Sequence, residues 1–122
     1  MMDNKFKPEI MDFSVDGHDY VVEFTRDALR EADGLGAFGN DAMGTLDRVT
    51  IALYTGLKKN HPFITVKRAK EIIDSAIDEG YSVDAFADVI DEMFRCYKAL
   101  FFNTEGAKKN LLVHRGAAKT QK

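Results

Sequence analysis

The chain begins with two short segments in which apolar and polar positions alternate. Apolar side chains occupy every second position of residues 11–15 and again of residues 20–24. A period of two is typical of a strand with one buried face. Asp16 and Gly17 lie between the segments, and this pair readily adopts the positive φ values of a tight turn. The pattern therefore predicts a β-hairpin over residues 10–24.

Beyond the hairpin, apolar positions recur at steps of three and four, which is typical of amphipathic helices. This spacing predicts four helices, at about residues 26–34, 45–59, 66–79 and 83–102. Thr25, Thr65 and Ser82 stand where N-caps are expected. Glycines follow the first and third predicted helices, and Pro62 follows the second. The fold class predicted is α+β, mainly α, with an amino-terminal β-hairpin followed by a four-helix bundle-like body.

The last predicted helix carries two apolar stripes rather than one. Val83, Phe86, Ile90, Met93, Tyr97 and Leu100 form the first stripe, and Ala87, Phe94 and Phe101 form the second. One stripe is expected to face the core, and the other the hairpin, another subunit or a client protein. Large aromatic residues at the end of the last helix have few partners left in a small domain, and an exposed apolar patch marks an interaction site. We therefore predict a protein-binding surface that contains Phe94, Tyr97, Phe101 and Phe102.

Composition and charge divide the chain into two parts. Its 122 residues, of which 45% are hydrophobic and 30% charged, predict one globular domain over residues 1–104. From Glu105 onward five basic residues oppose one acidic residue, so this segment has a net charge of +4 and leaves −7 on the rest. Residues 105–122 are predicted to be a mobile basic tail. Nucleic-acid binding is disfavoured because the acidic body repels phosphate and the tail has no aromatic residue for base stacking.

Candidate catalytic and ligand-binding residues are few. Cys96 is the only cysteine and is predicted to pack in the interior, while His18, His61 and His114 are not spaced as metal ligands. The glycine-rich segment 34–44 lacks the Gly-Lys-Ser/Thr signature of a phosphate-binding loop, so it is predicted to be a mobile connection anchored by Phe38.

The last predicted helix also carries four acidic residues that are candidate ligands for a cation: Asp84, Asp88, Asp91 and Glu92. A solvated helix face is the better interpretation of this spacing. We expect no catalytic residue, cofactor or metal, and hence no enzyme. We also expect no membrane segment, because no run of about 20 apolar residues occurs, which makes the cytoplasm the predicted location.

The hairpin segment from Phe13 to Phe24 reads FSVDGHDYVVEF and is followed at once by a helix that opens with Thr25. This form, FxVDGxxYxxEF before a helical body, resembles the small tail assembly chaperones of long-tailed bacteriophages and prophages. The resemblance implies a chaperone that keeps the tape measure protein soluble during tail assembly, that can meet the tail tube protein, and that often self-associates. The alternative is a small helical adaptor or regulatory module that binds another protein, and a small enzyme is a third possibility.

Overall fold

The computed structural model describes residues 6–102. A two-stranded antiparallel sheet comes first and is followed by helices. The elements are β1 Met11–Val15, β2 His18–Val22, α1 Arg26–Gly34, α2 Thr45–Leu57, α3 Val66–Asp78, a short 3-10 helix Val83–Phe86 and α4 Ala87–Phe101. The predicted fold class is therefore confirmed for this part of the chain. The predicted basic tail, residues 105–122 with His114, lies outside the described residues.

The hairpin turn has the geometry that its sequence predicts. Asp16 and Gly17 have φ values of 54° and 75°, as a two-residue turn with positive φ at both positions requires. The register pairs Phe13 with Tyr20 and Val15 with His18. Alternation then places the side chains of Val15, Tyr20 and Val22 on the buried face.

Two of the three predicted helix caps form. The hydroxyl of Thr25 accepts from the amide of Ala28, and that of Thr65 accepts from the amide of Arg68, each at 3.0 Å. Ser82 precedes the 3-10 helix but makes no side-chain cap bond. The single helix predicted over 83–102 thus begins as a 3-10 turn and becomes α-helical at Ala87.

The second helix, α2, lies at the centre of the fold and contacts α1, α3, α4 and β2. Its buried residues include Leu53 and Leu57, which lie in one apolar core with residues from every other element. The largest completely enclosed side chains of that core are Phe24, Leu29, Leu53, Leu57, Ile72 and Met93. No helix within residues 6–102 is long and apolar enough to cross a membrane.

The hairpin packs directly against the backbone of α2. The amide of Glu23 donates to the carbonyl of Gly56 at 2.8 Å, which satisfies one of the free carbonyls at the end of the helix. The amide of Val21 donates to Nε2 of His61 at 2.9 Å. The outer edge of β2 is therefore covered by the end of α2 and the loop that follows it.

The core-facing line of α4 differs from the first predicted stripe. The helix buries Val89, Met93 and Cys96, together with Glu92, whereas Ile90, Tyr97 and Leu100 are only half-buried. Steps of three and four residues fit the predicted stripe and the observed buried residues equally well, so the sequence pattern cannot distinguish the two faces of the helix. Packing against α1 and α2 selects the line with the smaller side chains. The prediction that Glu92 belongs to a solvated acidic face is wrong, while Asp84, Asp88 and Asp91 are exposed.

Candidate functional site

The four residues predicted to bind a protein lie together at the carboxyl-terminal end of α4. The ring of Tyr97 lies 5.1 Å from that of Phe102 and 6.0 Å from that of Phe101, measured between centroids. Phe94 joins them through Phe38, whose ring meets it edge-on at 5.2 Å. We refer to Phe38, Phe94, Tyr97, Phe101 and Phe102 as the aromatic cluster.

Phe38 holds the glycine-rich connection against this cluster. Its ring stacks on Tyr97 with centroids 3.6 Å apart and planes inclined by only 4°. The backbone beside it is fixed by Arg48, which donates to the carbonyls of Ala37 and Asn40, each at 3.0 Å. The predicted anchoring role of Phe38 is thus borne out by its contacts, and the connection supplies one wall of the cluster.

The outer part of the cluster faces solvent. Phe102 is 60% exposed and Phe101 is 37% exposed, whereas Phe94 and Tyr97 are half-buried. Together with Leu29, Arg30 and Asp33 of α1, the outer rings line a shallow depression of about 200 Å³. We call Tyr97, Phe101 and Phe102 the terminal patch. Phe94 is linked to this patch through Phe38 and does not line the depression.

Charged groups of α1 border the terminal patch. The guanidinium carbon of Arg30 lies 5.7 Å from the centre of the Phe101 ring, within the range of a cation–π contact. The hydroxyl of Tyr97 donates to Oδ1 of Asp33 at 3.3 Å. Burial and the neighbouring Asp33 carboxylate together raise the pKa of Tyr97, so the hydroxyl stays protonated at neutral pH. An apolar centre with one cationic and one anionic neighbour suits an amphipathic partner.

Two exposed aromatic residues were not predicted, Phe63 and Tyr81, of which Tyr81 is 55% exposed. Phe63, between Pro62 and Ile64 in the connection from α2 to α3, is 93% exposed. It follows no periodic pattern, so its exposure could not be anticipated from spacing. It is not part of the aromatic cluster, and this makes it a useful comparison residue for experiments on the terminal patch.

The most polar buried site lies on the opposite flank of α4. Glu92, only 4% exposed, accepts from Arg95 at 2.7 and 2.9 Å, from the Cys96 thiol at 3.1 Å and from the amide of Glu9 at 2.8 Å. Burial by itself raises the pKa of Glu92, but the three donors outweigh it and the pKa is lowered. Burial and the adjacent carboxylate raise the pKa of Cys96 to about 12. The thiol is therefore a neutral donor to Glu92, and Glu92 fastens the amino-terminal segment to α4 through the amide of Glu9.

The remaining candidate ligands are dispersed. Among residues 6–102, no three His, Cys, Asp or Glu side chains come together in a way that could hold a metal ion. His18 begins β2, and His61 is the acceptor for the Val21 amide.

Comparison with known proteins gives no further assignment. The sequence matches no protein-family model, and it has no significant match among curated proteins or solved structures.

Proposed function

We propose that this chain is a tail assembly chaperone of a long-tailed bacteriophage or prophage, and that its terminal patch binds apolar stretches of the tape measure protein. The observation that carries the proposal is the exposure of Phe101 and Phe102 beside Tyr97 at the end of α4. Contiguous exposed aromatic side chains are typical of protein interaction sites. The hairpin motif from Phe13 to Phe24 supplies the link to the chaperone family.

The chemistry of the patch favours a helical client. An amphipathic helix presents apolar side chains along one face and charged side chains along its borders. The rings of Tyr97, Phe101 and Phe102 would receive the apolar face, and Arg30 and Asp33 would meet charges at the border. A patch of three rings gives weak individual contacts, so many copies along a long client bind firmly yet can each be displaced by a tube subunit.

The direct test begins with the DNA that flanks the gene. A very long open reading frame nearby, encoding a helical protein with repeated apolar stretches, supplies the client for co-expression. We expect the client to become soluble and to copurify with this chain. Metabolic or regulatory genes in place of that frame would contradict the chaperone assignment and favour the adaptor alternative.

Matched variants then test the patch itself. Replacing Phe101 and Phe102 with Ala is expected to weaken client binding about tenfold or more, because aromatic anchors carry a large share of interface energy. Phe63→Ala is the control, since it removes an even more exposed ring outside the aromatic cluster. Equal binding by the parent and the double variant would refute the role of the terminal patch, as would a larger loss in the control.

A further inference from the structure

Within residues 6–102, one face of α3 is left exposed by the other elements. The helix packs against α2 and β1, and its buried side consists of Ala69, Ile72, Ile73 and Ala76. The neighbouring positions, which span about 120° of the circumference at about 100° per residue, are all exposed. We call these positions the α3 face, and its members are Val66, Lys67, Lys70, Asp74, Ile77 and Asp78.

The two apolar members of the α3 face lie at opposite ends of the helix. Val66, the first residue of α3, is 42% exposed, and Ile77, in the last turn, is 43% exposed. They are eleven residues apart, which is close to three full turns, so both lie on the same side of the helix. The α3 face therefore offers one apolar contact at each of its ends.

The four charged members of the α3 face are separated by sign. Lys67 and Lys70 lie in the amino-terminal half of the helix, and Asp74 and Asp78 lie in the carboxyl-terminal half. This order opposes the helix dipole, which favours anions near the amino end and cations near the carboxyl end. Within residues 6–102 none of the four forms an ion pair. The stability of α3 itself does not explain the order, whereas a partner with the opposite charge pattern does.

A second copy of α3 that runs antiparallel to the first matches both features. A two-fold axis beside Ile72, the central residue of the helix, places the amino-terminal half of each copy against the carboxyl-terminal half of the other. Members of the α3 face at about equal distances from Ile72 then meet across the axis. The pairs, each formed twice, are Val66 with Ile77, Lys67 with Asp78, and Lys70 with Asp74. A parallel arrangement would instead bring like charges together.

We propose that two copies of this chain associate through the α3 face as an antiparallel dimer with two-fold symmetry. A helix face about 20 Å long buries less than the standard interface of about 1,600 Å², so we expect a weak dimer with a Kd of about 0.1 mM. The α3 face shares no residue with the terminal patch. This inference therefore goes beyond the client-binding function and does not depend on it.

Complementary charge variants of the full chain test the proposal by sedimentation equilibrium. Lys67→Glu with Lys70→Glu makes all four charges of the α3 face acidic, and Asp74→Lys with Asp78→Lys makes all four basic. Both changes suit the helix dipole, so each variant should fold, which circular dichroism checks. Each variant alone should self-associate at least about tenfold more weakly than the parent, because like charges then meet across the axis. An equimolar mixture should form heterodimers at least as tightly as the parent forms its dimer.

The apolar contact gives a second measurement. Ile77→Asp should raise the Kd of the dimer at least about tenfold, because it places a charge in each apolar pair. Ile10→Asp is the matched control, since it makes the same change at a 65% exposed position outside α3 and should leave the Kd within about twofold. Replacing Phe101 and Phe102 with Ala should leave it equally unchanged.

Four results would overturn the proposal. The first is a parent protein that stays monomeric at about 1 mM. The second is a mixture of the two charge variants that associates no better than either variant alone. The third is an equal loss of association in Ile77→Asp and Ile10→Asp. The fourth is loss of the dimer when Phe101 and Phe102 are replaced, which would place the interface at the terminal patch.

Discussion

Replacing Gly56 with Ala is expected to destabilise the protein, although the same change in most helices is favourable. Gly56 lies inside α2, where β2 and the residues after it approach the helix most closely. A Cβ atom at this position would lie 2.8 Å from Cζ of Phe24 and 2.9 Å from Cγ1 of Val22. Carbon atoms in contact are normally about 3.5–4.0 Å apart, and both neighbours are completely buried.

The magnitude follows from two opposing effects. Alanine is favoured over glycine by about 1 kcal/mol inside a helix. Extra volume in a tightly packed core costs about 1–3 kcal/mol or more. Any outward shift of the hairpin also lengthens the 2.8 Å hydrogen bond from Glu23 to the Gly56 carbonyl, which contributes about 1 kcal/mol. The net expectation is a loss of about 1–3 kcal/mol in the free energy of unfolding.

Gly34→Ala provides the matched control. Gly34 ends α1, and a Cβ atom there would meet nothing within 4 Å, so this variant should be neutral or more stable by up to about 1 kcal/mol. Urea unfolding distinguishes the two, because with a slope of about 1–3 kcal/mol per molar urea the midpoints should differ by about 1 M. A Gly56→Ala variant as stable as the parent, or more stable, would refute the close-packing explanation.

Three further predictions concern polar contacts. Because the pKa of Glu92 is lowered, its carboxylate stabilises the fold fully above the ordinary glutamate pKa, and this stabilisation is lost as the pH falls through the folded-state pKa. Glu92→Gln should therefore reduce the free energy of unfolding by about 2 kcal/mol at pH 7 and by much less in acid. Urea unfolding at both pH values measures this, and a difference that does not depend on pH would contradict the prediction. His61→Leu leaves the Val21 amide without its acceptor, so we expect a loss of about 1 kcal/mol and faster exchange of that amide, whereas His18→Leu at an exposed position should change neither. Cys96 is buried and has a pKa of about 12, so it should react with a thiol reagent only after unfolding. Rapid labelling of the native protein would contradict its burial.

The elements that sequence predicts well are those controlled by neighbouring residues. The hairpin turn depends on Asp16 and Gly17 alone, and the caps at Thr25 and Thr65 depend on a hydroxyl and an amide three residues later. The grouping of Phe94, Tyr97, Phe101 and Phe102 was also predictable, because all four lie within three turns of one helix. Local rules of this kind need no knowledge of the tertiary structure.

The features that sequence does not reveal depend on residues far apart in the chain. Glu92 is buried because Glu9, from the amino-terminal segment, supplies an amide to its carboxylate. His61 acts as an acceptor because β2 lies beside it, 40 residues away in sequence. Gly56 shows no unusual local signal, and its importance follows only from the approach of Phe24. Phe38 could be proposed as an anchor, but its stacking on Tyr97 requires α4 to lie next to the connection.

The most direct measurement of the central claim is a titration of the isotope-labelled chain with a helical segment of the tape measure protein, followed by the NMR signals of each backbone amide. We predict that the shifts concentrate on Tyr97–Phe102 and on the neighbouring residues Arg30 and Asp33, and that they disappear when Phe101 and Phe102 are replaced with Ala. Shifts confined to the hairpin or to Phe63, or no shifts at any concentration, would contradict the assignment of the terminal patch as the client-binding surface.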